Sequence, residues 1–196
     1  MGIEKKALEL IEKIYESALE PDLWPETCKN LTKSLGFDKC GIAYTDPIKG
    51  NLVIQHMPGW EENAIRSIGE HYGSINPWVP WHIKNTKEGD VYFKDGMLRP
   101  DEYEKTKYYN DFLFPNRFSN GAGMCFSRRG LHMGILEFQR ETSAPITKEE
   151  IKILELLVPH LTRAFEIASR FWELRGDLDM AQALLDRLNL GVILVD

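Results

Sequence analysis

Residues 131–140 carry apolar side chains in both phases of an alternating pattern. Leu131, Met133 and Ile135 share one face, partly with Glu137, and His132, Gly134, Leu136 and Phe138 share the other. Successive side chains of a strand point to opposite faces, so this strand has to be covered on both sides. It belongs in the middle of a sheet that bears a layer on each face. Residues 120–127 supply its neighbour, because the short link Arg128-Arg129-Gly130 is suited to a tight hairpin.

The rest of the chain supplies the layers. Ile3, Ala7, Leu10, Ile11, Ile14 and Ala18 recur at helical spacing, and Glu20-Pro21 ends that helix because proline restricts the residue before it. A second helix is predicted over residues 25–36, from Pro25 to Gly36, with Trp24, Cys28, Leu31 and Leu35 on its apolar side. Residues 40–44 and 52–57 read as another hairpin, turning at Asp46-Pro47 and Lys49-Gly50-Asn51. Residues 60–72 return to helical period, residues 73–96 read as an irregular loop rich in proline and tryptophan, and residues 101–114 read as a third helical stretch. Hairpins with helices gathered between them indicate an α+β domain, an antiparallel sheet flanked by helices.

Residues 147–190 are predicted to form a long connector helix. Thr147 and Glu150 match a capping box, and Pro159 predicts a bend over residues 155–159. Leu157, Leu161, Ala164, Ala168 and Phe171 make one apolar seam, and Leu174, Leu178, Ala181, Leu185 and Leu188 make a second. The step of three from Phe171 to Leu174 is the spacing of a stammer, close to the helix-weakening Gly176. Such a seam fits either a homodimer interface or packing against the chain's own sheet. The apolar run at residues 191–196 would present an unpaired strand edge by itself, so it is expected to open a following domain. The expected organisation is therefore a sensory domain over 1–146, a kinked signalling and dimerisation helix over 147–190, and the first strand of a truncated domain over 191–196.

Chemistry leaves few traces. The formal net charge of −6 and pI of about 5.5 argue against a nucleic-acid surface, which needs a clustered basic face. Cys28, Cys40 and Cys125 form no paired motif, and the five histidines lack metal-ligand spacing. No nucleophile elbow, phosphate loop, dinucleotide fingerprint or zinc-protease motif is present. The chain is expected to be non-catalytic, with no metal and no cofactor. No apolar run approaches the roughly 18 residues of a membrane span and no leader pattern opens the sequence, so a cytoplasmic location is expected.

One constellation suits a ligand. Trp60, Tyr72, Trp78, Trp81, Tyr108 and Phe112 come from two helical stretches and the loop between them, with Asn76, His71, His82 and Arg117 available as polar partners. Small-molecule sites combine aromatic walls with a few polar groups in this way. The same aromatics would equally serve as the core beneath a long loop.

The order of elements is similar to that of GAF and PAS sensor domains. Residues 108–115 (YYNDFLFP), 157–164 (LVPHLTRA) and 184–196 (LLDRLNLGVILVD), with 15–25 (YESALEPDLWP) and Asn76-Pro77-Trp78, resemble the N-terminal sensory region of bacterial LuxR-type helix-turn-helix regulators. The resemblance implies a module that binds a small ligand or a partner and relays the signal to a PAS-like domain and a DNA-binding domain beyond residue 196. DNA contact would belong to that part alone. Tyr72 and Asn76-Pro77 also resemble the tyrosine and aspartate with which quorum-sensing regulators bind acyl-homoserine lactones. Asparagine here replaces the aspartate and the gap differs, so a lactone is not implied. The alternative is a purely structural dimerisation module without ligand.

Overall fold

A computed structural model describes residues 3–45, 52–129 and 132–185. Its centre is a five-stranded antiparallel sheet of order β2-β1-β5-β4-β3. The strands are β1 (Lys39–Thr45), β2 (Leu52–His56), β3 (Val91–Phe93), β4 (Asn120–Arg129) and β5 (His132–Arg140). The doubly apolar strand is indeed the middle one.

One face carries α1 (Ile3–Leu19), α2 (Trp24–Ser34) and the first half of α6 (Lys148–Leu185). The core there joins Leu10, Ile14, Cys28 and Leu31 to Ile42, Met124, Phe126, Leu136 and Phe138, and to Leu154, Leu157 and Leu161. Deep burial of these side chains is the main stabilising term of the domain. The opposite face carries α3 (Glu62–Glu70), α4 (Trp78–Asn85), α5 (Pro100–Tyr103) and a π-helical turn, Tyr109–Leu113. A second cluster of buried residues, Trp60, Trp78, Tyr103, Tyr108, Phe112, Leu113 and Phe118, lies among these elements.

Two sequence expectations change here. Residues 73–96 are not an irregular loop, because they contain α4 and β3. Asn76 Oδ1 accepts from the Trp78 N–H at 2.9 Å and starts α4, and Pro80 falls in its first turn, where no intrahelical N–H bond is required. The helix over 101–114 is broken into α5 and the π turn. Thr106 supplies the break, since its hydroxyl oxygen accepts from the Tyr109 N–H at 3.1 Å.

Helix α6 begins as its capping box requires. Glu150 Oε2 accepts from the Thr147 N–H at 2.7 Å, and Thr147 Oγ1 accepts from the Glu150 N–H at 3.2 Å. The helix runs on through Pro159 without ending. Leu157, Leu161, Ala164 and Ala168 are each at most 1% exposed within the single chain. Leu157, Leu161 and Ala164 belong to the core shared with the sheet and α1, so within the single chain this half of the seam is already covered. Phe171 is 51% exposed. Leu174, Leu178, Ala181 and Leu185 lie on α6 without described side chains, and Leu188 and the strand expected at 191–196 lie outside the described residues.

Glu150 also ties α6 to the sheet through Arg140, whose Nη2 donates to Oε1 at 2.5 Å. Burial opposes ionisation of Glu150, but the Thr147 N–H and the Arg140 guanidinium outweigh it and hold the carboxyl below its ordinary value. The stabilisation is complete above the unfolded-state value, about 4.3, and disappears as pH falls through the lowered folded value. Glu150→Gln is expected to flatten this acid limb. Urea midpoints at about pH 7 and about pH 3 check it: the gap between the two should narrow in the variant.

Candidate functional site

The site lies on the sheet face away from α6. On β5 that face runs Met133, Ile135, Glu137, Gln139, apolar at one end and polar at the other. Its neighbours in register are small. Glu137 stands between Gly41 of β1 and Gly123 of β4, and Ile135 between Ala43 and Cys125. Glycine on both sides leaves room above the carboxylate, and Tyr92 fills the Gly123 side, where a Cβ would lie 2.4 Å from its ring.

Two hollows meet at Glu137 and Gln139, which line both. The larger, about 50 Å³, is walled by Gly41, Met57, Trp60, Asn76, His82 and Tyr108 among others. The smaller, about 20 Å³, is walled by Trp78, Tyr92, Lys94 and Phe118 among others. Buried polar groups gather around them. His82 is 1% exposed, its Nδ1 hydrogen-bonded with Thr86 Oγ1 at 3.0 Å and its Nε2 at 3.4 Å from Glu137 Oε1. Trp78 Nε1, His82 Nε2, Tyr92 Oη and Gln139 Oε1 are all buried without a well-formed hydrogen bond. Buried groups of this kind are rare, and each costs about 1–3 kcal/mol if left unpaired. His82 Nε2 and Tyr92 face the Glu137 carboxylate, and Trp78 Nε1 and Gln139 Oε1, left over, mark a position made for something polar.

Electrostatics centre on Glu137. Burial first, and then the Glu137 carboxylate, raise the phenols of Tyr92 and Tyr108 above their ordinary value, so both stay protonated. The neighbouring cations are engaged elsewhere. Lys94 Nζ donates to the Ser119 carbonyl and lies over the Tyr103 and Phe118 rings. Lys39 Nζ lies 3.0 Å from Glu141 and donates to the Asn116 carbonyl.

The residues expected from sequence divide. Trp60, Asn76 and Tyr108 line the larger hollow and Trp78 the smaller. Tyr72 and Phe112 line neither; they stack at 5.2 Å, and Phe112 stacks on Trp60 at 5.4 Å, as packing of the second core. Trp81 also lines neither and sits against His82 and Tyr92. His71 is exposed beside Tyr72, and Arg117 pairs with Glu141 at 3.3 Å. Glu137, Gln139 and Tyr92 were missing from the expected site. A carboxylate on the face of a doubly covered strand is the sequence signal that points to Glu137. Among the described residues, no group of three or more His, Cys, Asp or Glu side chains could hold a metal ion.

No protein-family model matches the sequence, and no curated protein matches it. Solved structures do. The chain is similar to the VqsR LBD domain from Pseudomonas aeruginosa, with TM-score 0.66 at 18% identity over 83% of this chain and 96% of that one. It is also similar to the GAF domain of a phosphoenolpyruvate-protein phosphotransferase from Acinetobacter, with TM-score 0.56 at 13% identity over 87% and 97% of the two chains. The fold is GAF-like. The N-acylhomoserine lactone dependent LuxR family transcription factor CepR2 from Burkholderia cenocepacia shares it, with TM-score 0.56 at 16% identity over 81% of this chain and 92% of that one. The α+β architecture expected from sequence thus corresponds to a GAF-like fold. No described helix is long and apolar enough to cross a membrane.

Proposed function

We propose that this GAF-like domain is a non-catalytic sensor that binds a small molecule at the two hollows beside Glu137 and Gln139. The observation that carries the reading is the gathering of unpaired buried polar groups around those hollows. Proteins of similar fold support it, since CepR2 is N-acylhomoserine lactone dependent and SdiA was solved in complex with octanoyl-rac-glycerol. The enclosed space is far below the roughly 300–1,000 Å³ of drug-sized sites, so a ligand of a few heavy atoms fits as the site stands.

The relay follows from the sheet. Glu137 and Gln139 face the hollows, while Leu136 and Phe138 of the same strand pack in the core that holds α6. A ligand with different affinity for two positions of β5 would bias α6 accordingly. Helix α6 would then carry the change to a DNA-binding domain of the LuxR type beyond residue 196, in a regulator at work in the cytoplasm.

Gly41→Leu tests the site. A Cβ at Gly41 meets nothing nearer than Met57 Cγ at 3.9 Å, so the variant should fold and fill the larger hollow. Fragments of up to about ten heavy atoms, screened by ligand-observed NMR, are expected to bind the parent chain and lose binding in the variant. A parent chain that binds none, or a variant that binds as well, would remove the reading.

Dimerisation, if it uses α6, uses the part from Phe171 onward, with Leu174, Leu178, Ala181 and Leu185. Sedimentation should show a dimer at high micromolar concentration that Phe171→Glu converts to monomer. A monomeric parent chain would remove this part of the proposal.

A further inference from the structure

The smaller hollow has a donor and an acceptor of its own. Trp78 and Gln139 both line it, and each is at least nine-tenths buried, at 5% and 9% exposure. Trp78 Nε1 is a donor without a partner, and Gln139 Oε1 is an acceptor without a partner. The other two unpaired groups can be satisfied within the protein. His82 Nε2 and Tyr92 both stand beside the Glu137 carboxylate, which has two oxygens to offer. What remains for a ligand is one N–H to accept from and one carbonyl to donate to. A space of about 20 Å³ suits one or two water-sized groups.

The charge around this pair selects further. Glu137 and Lys94 both line this hollow, so its charges balance, and Lys94 Nζ is turned to the Ser119 carbonyl and two aromatic rings. An acid would add a second carboxylate beside Glu137 and offer no proton to Gln139. An ammonium would meet Gln139 and Glu137 but leave Trp78 Nε1 facing another donor. A carboxamide meets both demands, its carbonyl accepting from Trp78 and its N–H donating to Gln139. The larger hollow's wall includes Ile68, Val79, Met133 and Ile135 beside the polar Asn76, His82 and Glu137, and its apolar part suits a short branched hydrocarbon body.

We infer that the site takes a small amphipathic molecule whose head is an uncharged acceptor–donor pair of the carboxamide class, read by Trp78 and Gln139, with Glu137 turning acids away. The inference rests on the ligand reading above and deepens it by naming the head group.

Three probes with one hydrocarbon body test it on the full chain: 3-methylbutanamide, 3-methylbutanoate and 3-methylbutylamine. Binding is followed by the ¹⁵N–¹H resonance of the Trp78 indole, assigned with Trp78→Phe. The amide is expected to move that resonance and to bind about tenfold or more tighter than either charged probe. Gln139→Met should lower amide affinity about tenfold, and Glu137→Gln should bring the acid to within a few-fold of the amide. If either variant fails to fold, the ranking of the three probes on the parent chain still decides. Equal or tighter binding of the acid or the amine overturns the head-group assignment and leaves the ligand site standing. So does amide binding that leaves the Trp78 indole unmoved. If no probe binds at millimolar concentration while other fragments bind the parent chain, the head-group assignment falls and the ligand site stands; if no fragment binds either, both readings fall.

Discussion

Arg140→Ala is expected to destabilise the domain by about 3–5 kcal/mol, because it removes a buried guanidinium and leaves the half-buried Glu150 carboxylate and the Gly36 carbonyl without their partner. Arg140 is 7% exposed. Its guanidinium pairs with Glu150 at 2.5 Å and donates to the carbonyls of Gly36, Ala144 and Pro145 at 3.2–3.4 Å. It therefore closes the end of α2, the end of β5 and the start of α6 into one joint. Removing one partner of such a group costs far more than the pair contributes over an apolar replacement. Arg140→Met keeps much of the packing on Phe37, which lies 4.7 Å beneath the guanidinium, and should cost less. Equilibrium urea unfolding of both variants checks the order. A loss under about 1 kcal/mol for alanine would mean the joint is not a structural one.

Phe138→Ala is expected to cost a similar amount, about 3–5 kcal/mol, by a different route. Phe138 is 1% exposed at the centre of the α1–α2–α6 core and stacks on Phe37 at 5.3 Å. Truncation leaves a cavity that the strand, held by β1 on one side and β4 on the other, cannot collapse to fill. Arg140, Phe37 and Phe138 form one stack, so the Arg140 and Phe138 substitutions should not add. A double-mutant cycle is expected to show coupling of about 0.5–3 kcal/mol. Either loss alone approaches the whole stability of a small domain, about 5–15 kcal/mol, so unfolding should be followed by denaturant at low temperature.

The architecture was more legible than the site. The alternation in β5, the two hairpins and α1 depend on local pattern, and all four are where the pattern puts them. Helix α4 was hidden because Pro77 and Pro80 read as breakers, although both occupy positions where proline is tolerated. The seam from Leu157 to Ala164 was legible as apolar, but periodicity does not say what covers it, and within the chain its own sheet and α1 do. At the site, the aromatics stand out in sequence because they are large, yet Tyr72 and Phe112 are core. The polar groups that define the hollows are Trp78, His82, Tyr92, Glu137 and Gln139. They come from α4, β3 and β5, and only the sheet register brings them together.

Hydrogen exchange of α6 amides, measured with and without a fragment that binds the parent chain, tests the sensor reading most directly. Exchange reports local opening, and β5 links the hollows to the core that holds α6. A ligand at Glu137 and Gln139 is expected to slow exchange over residues 151–168 as well as in β5, and Gly41→Leu should abolish both effects. Protection confined to β5, with α6 unchanged at saturating fragment, would contradict the account.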